Sequence, residues 1–210
     1  MPDADDTLIN LRFDLLGASA PEDHHYLLYA AIKSTLDLGD ITERGWQLRK
    51  IQGGRVQENE TIHFDRRDAD PYFCIRLPME DIGRARALEG ETIRLSHHLL
   101  QVGAPVASEI KHADNLESDL VIIKNGDRAP RGHSEGDLGA SVGKRLGAWL
   151  GRSDFGIEVG ERRWVHVAGA RYFGSPVKIS ALREGESELI QRRGIGGRQS
   201  MGCGTFWAEG

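Results

Sequence analysis

From its first apolar positions the chain alternates. Ile9, Leu11, Phe13 and Leu15 are separated by Asn10, Arg12 and Asp14, a period of two that predicts a strand with one buried face. Pro21 then opens a helix, with Glu22 and Asp23 in a first turn whose dipole favours carboxylates. Leu28, Ala31, Ile32, Thr35 and Leu36 form its inward stripe. A strand is expected over residues 46–51, then a polar stretch from Gln52 to Asp70. Phe73, Ile75 and Leu77 alternate again, and Pro78 starts a second helix with Ile82, Ala85 and Leu88 inward and Gly90 as its stop. Ile93 and Leu95 resume a strand that continues through Leu99 to Val102. Strand, helix, strand, strand, helix, strand is the order of a ferredoxin-like unit.

The second half repeats the order without repeating the sequence. Residues 120–124 are an apolar strand, and 125–136 a glycine-rich charged loop. Leu138, Val142, Leu146, Trp149 and Leu150 make a helical stripe. Strands follow at 164–167 and 177–182, a short helix at 186–193 closed by Gly194, and a last strand at 205–207. The expected fold class is α+β: two tandem ferredoxin-like (RRM-like, βαββαβ) lobes, 1–104 and 116–210, divided between Gly103 and Leu116.

Composition narrows the setting. At 39% hydrophobic, with 26 glycines in 210 residues, the chain can bury a core and make many turns. No apolar run approaches the roughly 20 residues of a membrane helix. The acidic start, Met1 to Asp6, is neither signal nor transit peptide. Cys74 and Cys203 lie far apart and suggest neither a disulfide framework nor a CxxC metal site. A reducing cytoplasm is the expected home. The net charge of −5 hides an asymmetry: residues 141–204 carry 11 Lys and Arg against 6 Asp and Glu, whereas residues 1–140 carry 16 against 25. A phosphate-binding surface needs a local positive field, not a basic protein. Charge alone favours the alternative, a solvated face with no partner.

The densest chemical signal is Arg192-Arg193-Gly194-Ile195-Gly196-Gly197-Arg198-Gln199-Ser200-Met201-Gly202-Cys203-Gly204. Five glycines stand within the eleven residues 194–204, flanked by arginines. Such a loop lets successive backbone N–H groups form a nest for phosphate oxygens. It is no Walker loop, lacking Gly-Lys-Ser/Thr, and no dinucleotide fingerprint, since it follows a helix and precedes a strand. The alternative is a flexible helix-to-strand turn.

This loop, set between a short helix and a terminal strand, resembles that of the CRISPR-associated repeat endoribonucleases of the RAMP superfamily. More narrowly it resembles the branch of type I systems first described in myxobacteria. The segments Pro21-Glu22-Asp23-His24-His25-Tyr26-Leu27-Leu28-Tyr29-Ala30-Ala31 and Leu116-Glu117-Ser118-Asp119-Leu120-Val121-Ile122-Ile123-Lys124 resemble that branch too. The resemblance implies two ferredoxin-like lobes and metal-independent cleavage of CRISPR repeat RNA into guide RNAs, with no cofactor. The RNA's 2′-hydroxyl attacks the adjacent phosphate, leaving a 2′,3′-cyclic phosphate. It further implies partners: the repeat RNA and other Cas subunits of a type I interference complex.

Such a reaction needs a group that moves a proton near neutral pH, which suits histidine. His24, one turn before Leu28, is the first candidate, and His25 the fallback, about 100° round the helix. Tyr26 is a candidate donor to a phosphate oxygen or an anchor for the helix. For RNA binding the first choices are Arg192, Arg193 and Arg198, with Gly194, Gly196 and Gly197 giving close backbone approach. Lys144 and Arg145, expected to open the long second-lobe helix, are secondary, as are Arg162, Arg163 and Lys178. His97 and His98, adjacent on an expected strand, should face opposite sides and not chelate together. His63, His112, His133 and His166 lack metal-ligand spacing with one another. The competing reading is a non-catalytic RNA-binding subunit of a guide-RNA complex.

Overall fold

The computed structural model describes residues 7–39, 41, 43–57, 60–65, 70–122 and 135–208. The chain forms two compact units, Met1–Glu109 and Ile110–Gly210. The loop expected at 125–136 lies almost wholly outside the described residues, as do Lys124 and His133.

In the first unit β1 (Leu8–Leu16) is central. It is followed by the short β2 (Ser19–Pro21), α1 (His25–Thr35), β3 (Gln47–Gln52), β4 (Arg55–Gln57), β5 (Thr61–His63), β6 (Tyr72–Pro78), α2 (Ile82–Arg86), β7 (Thr92–Leu95) and β8 (His98–Glu109). The main sheet runs β3-β6-β1-β8-β7, its neighbours antiparallel. Without β7, that is the strand order of a ferredoxin-like unit. Ile9, Leu11, Phe13 and Leu15 are buried as the alternation predicts, and Phe13 stacks on its cross-strand partner Phe73 with centroids 5.0 Å apart. On the other face of β1 the guanidinium of Arg12 lies 4.0 Å from the Tyr72 ring centroid. Asp81 fixes the entry to α2 by accepting from Trp46 Nε1 at 2.8 Å and from Arg84 at 2.8 Å.

Three expectations change here. Pro21 does not open α1: it ends β2, which pairs with β5, so Glu22 and Asp23 precede the helix. The polar stretch after Gln52 contains β4 and β5, which join β2 in a second, three-stranded sheet. The strand expected from Ile93 to Val102 is a hairpin turning at Ser96 and His97, because Leu95 pairs with His98.

The second unit comprises β9 (Leu116–Val121), α3 (Glu135–Leu150), β10 (Gly156–Val159), β11 (Arg163–Val167), β12 (Ala170–Ser180), α4 (Glu186–Arg193) and β13 (Trp207–Ala208). Its sheet runs β10-β12-β9-β13, with β11 paired to the first half of β12, the ferredoxin-like order again. Leu138, Val142 and Leu146 of α3, Ile190 of α4 and Phe206 close the core over Val121, Val177 and Ile179. Arg152 clamps the entry to α4. Its Nε donates to Glu186 Oε1 at 2.7 Å and its second arm to Ala181 O at 2.8 Å, and this guanidinium holds the Glu186 carboxyl down at about 2.

Candidate functional site

The chain entering α1 determines what its two histidines can do. His24 is the residue before the first helical turn, and its carbonyl accepts from Leu28 N at 2.8 Å. Its ring is fully buried. Nδ1 stands 2.7 Å from Pro21 O and Nε2 2.9 Å from Ile51 N. A carbonyl only accepts and an amide N–H only donates, so the proton sits on Nδ1 and the lone pair of Nε2 is taken by β3. In this arrangement His24 offers neither nitrogen to a substrate; it ties the start of α1 to β3. His24 is inward, as expected of a residue one turn before Leu28, but it precedes the helix rather than lying within its first turn. The buried positions of α1 itself are His25, Leu28, Tyr29 and Ile32, so His25 faces inward as well. The two imidazoles lie nearly parallel, centroids 6.0 Å apart. Tyr26 is half-buried, its ring tilted against Tyr29 at 6.1 Å.

The glycine-rich loop is knit into the second unit by its own backbone. Ile195 N donates to Gly204 O at 2.8 Å, Gly204 N to Leu120 O at 2.6 Å, Gly197 N to Ile122 O at 3.3 Å and Cys203 N to Arg198 O at 3.2 Å. Those N–H groups are committed within the protein, so they do not form the anion nest that the composition suggested. The glycines serve the packing instead. Gly196 has φ +100° and a Cβ there would stand 2.5 Å from Ile122 O; Gly204 has φ +68° and its Cβ would overlap the Ile195 carbonyl. Gly194 is likewise boxed in by Gln199 and Gly204 O. Of these four glycines Gly197 alone faces open space, with no positive φ.

The arginines around this loop are held on aromatic rings. Arg198 lies 4.1 Å from the Tyr172 centroid and Arg193 5.3 Å from that of Trp149. Arg192 is exposed at the end of α4. Lys144 and Arg145 are exposed but do not open α3; they lie in its second half.

The β11–β12 hairpin carries residues that periodicity alone passed over. Trp164 pairs with Phe173 and His166 with Arg171, all on the face opposite buried Val165 and Val167. Arg162 lies 3.5 Å from the Phe173 centroid and Arg171 4.2 Å from that of Trp164. An exposed and a half-buried aromatic flanked by two arginines make a cationic stacking platform. The available signal was Arg-Arg-Trp followed nine residues later by Tyr-Phe. It becomes legible only once the strands are paired.

Among the described residues no group of three or more His, Cys, Asp or Glu is arranged to hold a metal ion. Cys74 is buried, which pushes its thiol up to about 11, and Cys203 is also buried. Nor, among the described residues, is any helix long and apolar enough to cross a membrane.

Residues 9–209 match the family described as Cas6 CRISPR. A curated relative, the CRISPR-associated endonuclease Cas6 of Myxococcus xanthus, is 28% identical over 204 residues, covering 96% of this chain and 82% of the relative. Among solved structures, a CRISPR-associated protein Cas6 superposes with TM-score 0.60 at 19% identity, covering 97% of this chain and 99% of the other. A Cas6-related protein from Pyrococcus furiosus gives 0.63 at 16% identity over 95% and 98%. The CRISPR endoribonuclease Cse3 bound to a 19-nucleotide RNA gives 0.54 at 13% identity over 97% and 98%. These structures share the fold.

Proposed function

The chain belongs to the Cas6 CRISPR family, and from that premise we propose that it is a metal-independent endoribonuclease that cuts CRISPR repeat RNA in the precursor transcript. The family match over residues 9–209 is the observation that carries this reading. The 2′-oxygen forms a bond to the adjacent phosphorus while the bond to the 5′-oxygen breaks. A proton leaves the first oxygen and one reaches the second, giving a 2′,3′-cyclic phosphate and a 5′-hydroxyl. The first unit carries the proton-transfer helix. His25 is assigned the proton transfer, because both nitrogens of the neighbouring His24 are used in holding the helix start. Tyr26 is the candidate phosphate donor beside it.

The second unit supplies the cationic surface. Arg193 and Arg198, together with Arg162 and Arg171 on the hairpin, meet phosphates. Arg192, Lys144 and Arg145 are secondary. A guanidinium already resting on a ring loses little side-chain freedom on binding and keeps its N–H donors. Gly197 is the glycine that permits close approach; Gly194 and Gly196 shape the loop beneath it. Partners are the repeat RNA, its cleaved product and other Cas subunits of a type I complex, and the setting is the cytoplasm, where the transcript is made.

Cleavage of the cognate repeat in excess EDTA, with a cyclic phosphate on the upstream fragment by mass spectrometry, is the expected result. Activity lost to EDTA and restored by a divalent ion would overturn the metal-free mechanism. Tight binding without cutting would favour the non-catalytic subunit. Arg198→Ala is expected to weaken RNA binding across sequences and to reduce the slope of log affinity against log salt by about 0.7–0.9, the share of one phosphate contact. An unchanged slope in a salt titration removes Arg198 from the interface.

A further inference from the structure

A second group of histidines lies in the first unit, on elements the catalytic reading does not use. A pocket of about 410 Å³ is lined by Ala18, Ser19, Thr61, His63, His97, His98 and Leu99. Three separate segments bring it together: the start of β2, the end of β5 and the β7–β8 turn. Ser19 pairs with His63 across the small sheet. The hairpin turn places His97 and His98 side by side, ring centroids 4.0 Å apart, where an uninterrupted strand would have sent them to opposite faces. Ser19 Oγ and His98 Nδ1 stand 2.8 Å apart. His63 Nε2 is buried without a hydrogen-bond partner. Among the described residues no carboxylate lines the pocket.

His98 is held below its ordinary value by burial and by the facing His97 and His63. An anion reverses that balance, because each imidazolium then gains a charge-assisted hydrogen bond. The surrounding charges leave room for one. Arg55 stands across from His63 and Arg94 across from Leu99. Asp65 and Glu60 flank β5 in sequence, and α1, packed against β7, carries His25 and Lys33; none of these four lines the pocket. The donors do not converge as metal ligands.

We propose that this pocket is a proton-linked phosphate site, formed by His63, His97, His98 and Ser19, which takes a backbone phosphate of the bound RNA as its imidazoles protonate. The assignment of RNA as the source of that phosphate rests on the function proposed above; the site itself does not.

Two arms test it on the full-length protein. In the first, inorganic phosphate is titrated while the ring resonances of the histidines are followed by NMR. Phosphate is expected to raise the titration midpoint of His98, and to do so much less in the His63→Gln/His97→Gln double variant, which leaves the Ser19 contact in place. An unmoved midpoint overturns the site. In the second arm, affinity for repeat RNA is measured from pH 8 to pH 5.5. The parent is expected to gain about tenfold, as charge-assisted contacts form, and the double variant to lose most of that gain. A double variant that tracks the parent at every pH overturns RNA as the source. Failure of the parent to bind RNA at any pH would strike at the endonuclease reading, while the phosphate arm would still judge the site.

Discussion

His25→Gln is expected to slow repeat cleavage by about 10²–10⁴-fold, the usual contribution of a positioned general acid or base, with RNA affinity within about twofold of the parent. Gln fills most of the imidazole volume on the inward stripe of α1 and cannot take up a proton, so the loss is chemical. His24→Ala should fail differently. It strands the Ile51 N–H, which now donates to Nε2 at 2.9 Å, inside a fully buried site. A buried donor left without an acceptor costs about 1–3 kcal/mol, which in a unit of this size lowers the melting temperature by roughly 4–8 °C per kcal/mol. His24→Gln, whose amide oxygen restores an acceptor, should recover part of that. Single-turnover cleavage beside thermal melts separates the two roles. If His25→Gln cuts at the parent rate, while His24→Gln melts like the parent and does not cut, the assignment made here is reversed.

Gly204→Val is expected to disrupt the second unit outright. The new side chain meets the Ile195 carbonyl, which is fixed by its neighbours, at a φ of +68°. Overpacking of about 1–3 kcal/mol adds to about 1–2 kcal/mol for a left-handed backbone, a large part of a domain's stability. Gly197→Val, with nothing within 4 Å of its Cβ, should melt like the parent and weaken RNA binding, because the open position is the one a strand can approach. Calorimetry and RNA titration on the pair decide it. A Gly204→Val that melts normally refutes the packing account. A stable Gly197→Val with unchanged affinity removes the loop surface from the interface.

Much of the fold was legible because each half is built from elements with a strong period. The alternation from Ile9 to Leu15 and the helical stripe of Leu138, Val142 and Leu146 needed no tertiary information. What failed was local. Pro21 suits a first helical turn and a strand end equally, and pairing with Thr61 decided for the strand. That choice moved the helix start to His25 and left His24 just before it, tied to Pro21 and Ile51. The Ser96-His97 turn lacks glycine, proline or asparagine, so the run from Ile93 to Val102 read as one strand. The strand at Gly156–Val159 was missed because three half-buried residues and one exposed residue carry too little pattern. In the terminal loop, counting glycines detected that something was crowded. Only coordinates show that the crowding partner at Gly196 and Gly204 is the protein's own backbone.

The Trp164 face of the hairpin also has an optical consequence. Of the four tryptophans, Trp46 and Trp207 are buried, Trp149 is half-buried, and Trp164 is 46% exposed beneath Arg171. Its emission is expected to be the reddest of the four and the first that acrylamide quenches. A nucleobase laid on that platform would quench it, so the unlabelled protein carries its own fluorescent reporter for occupancy of this hairpin.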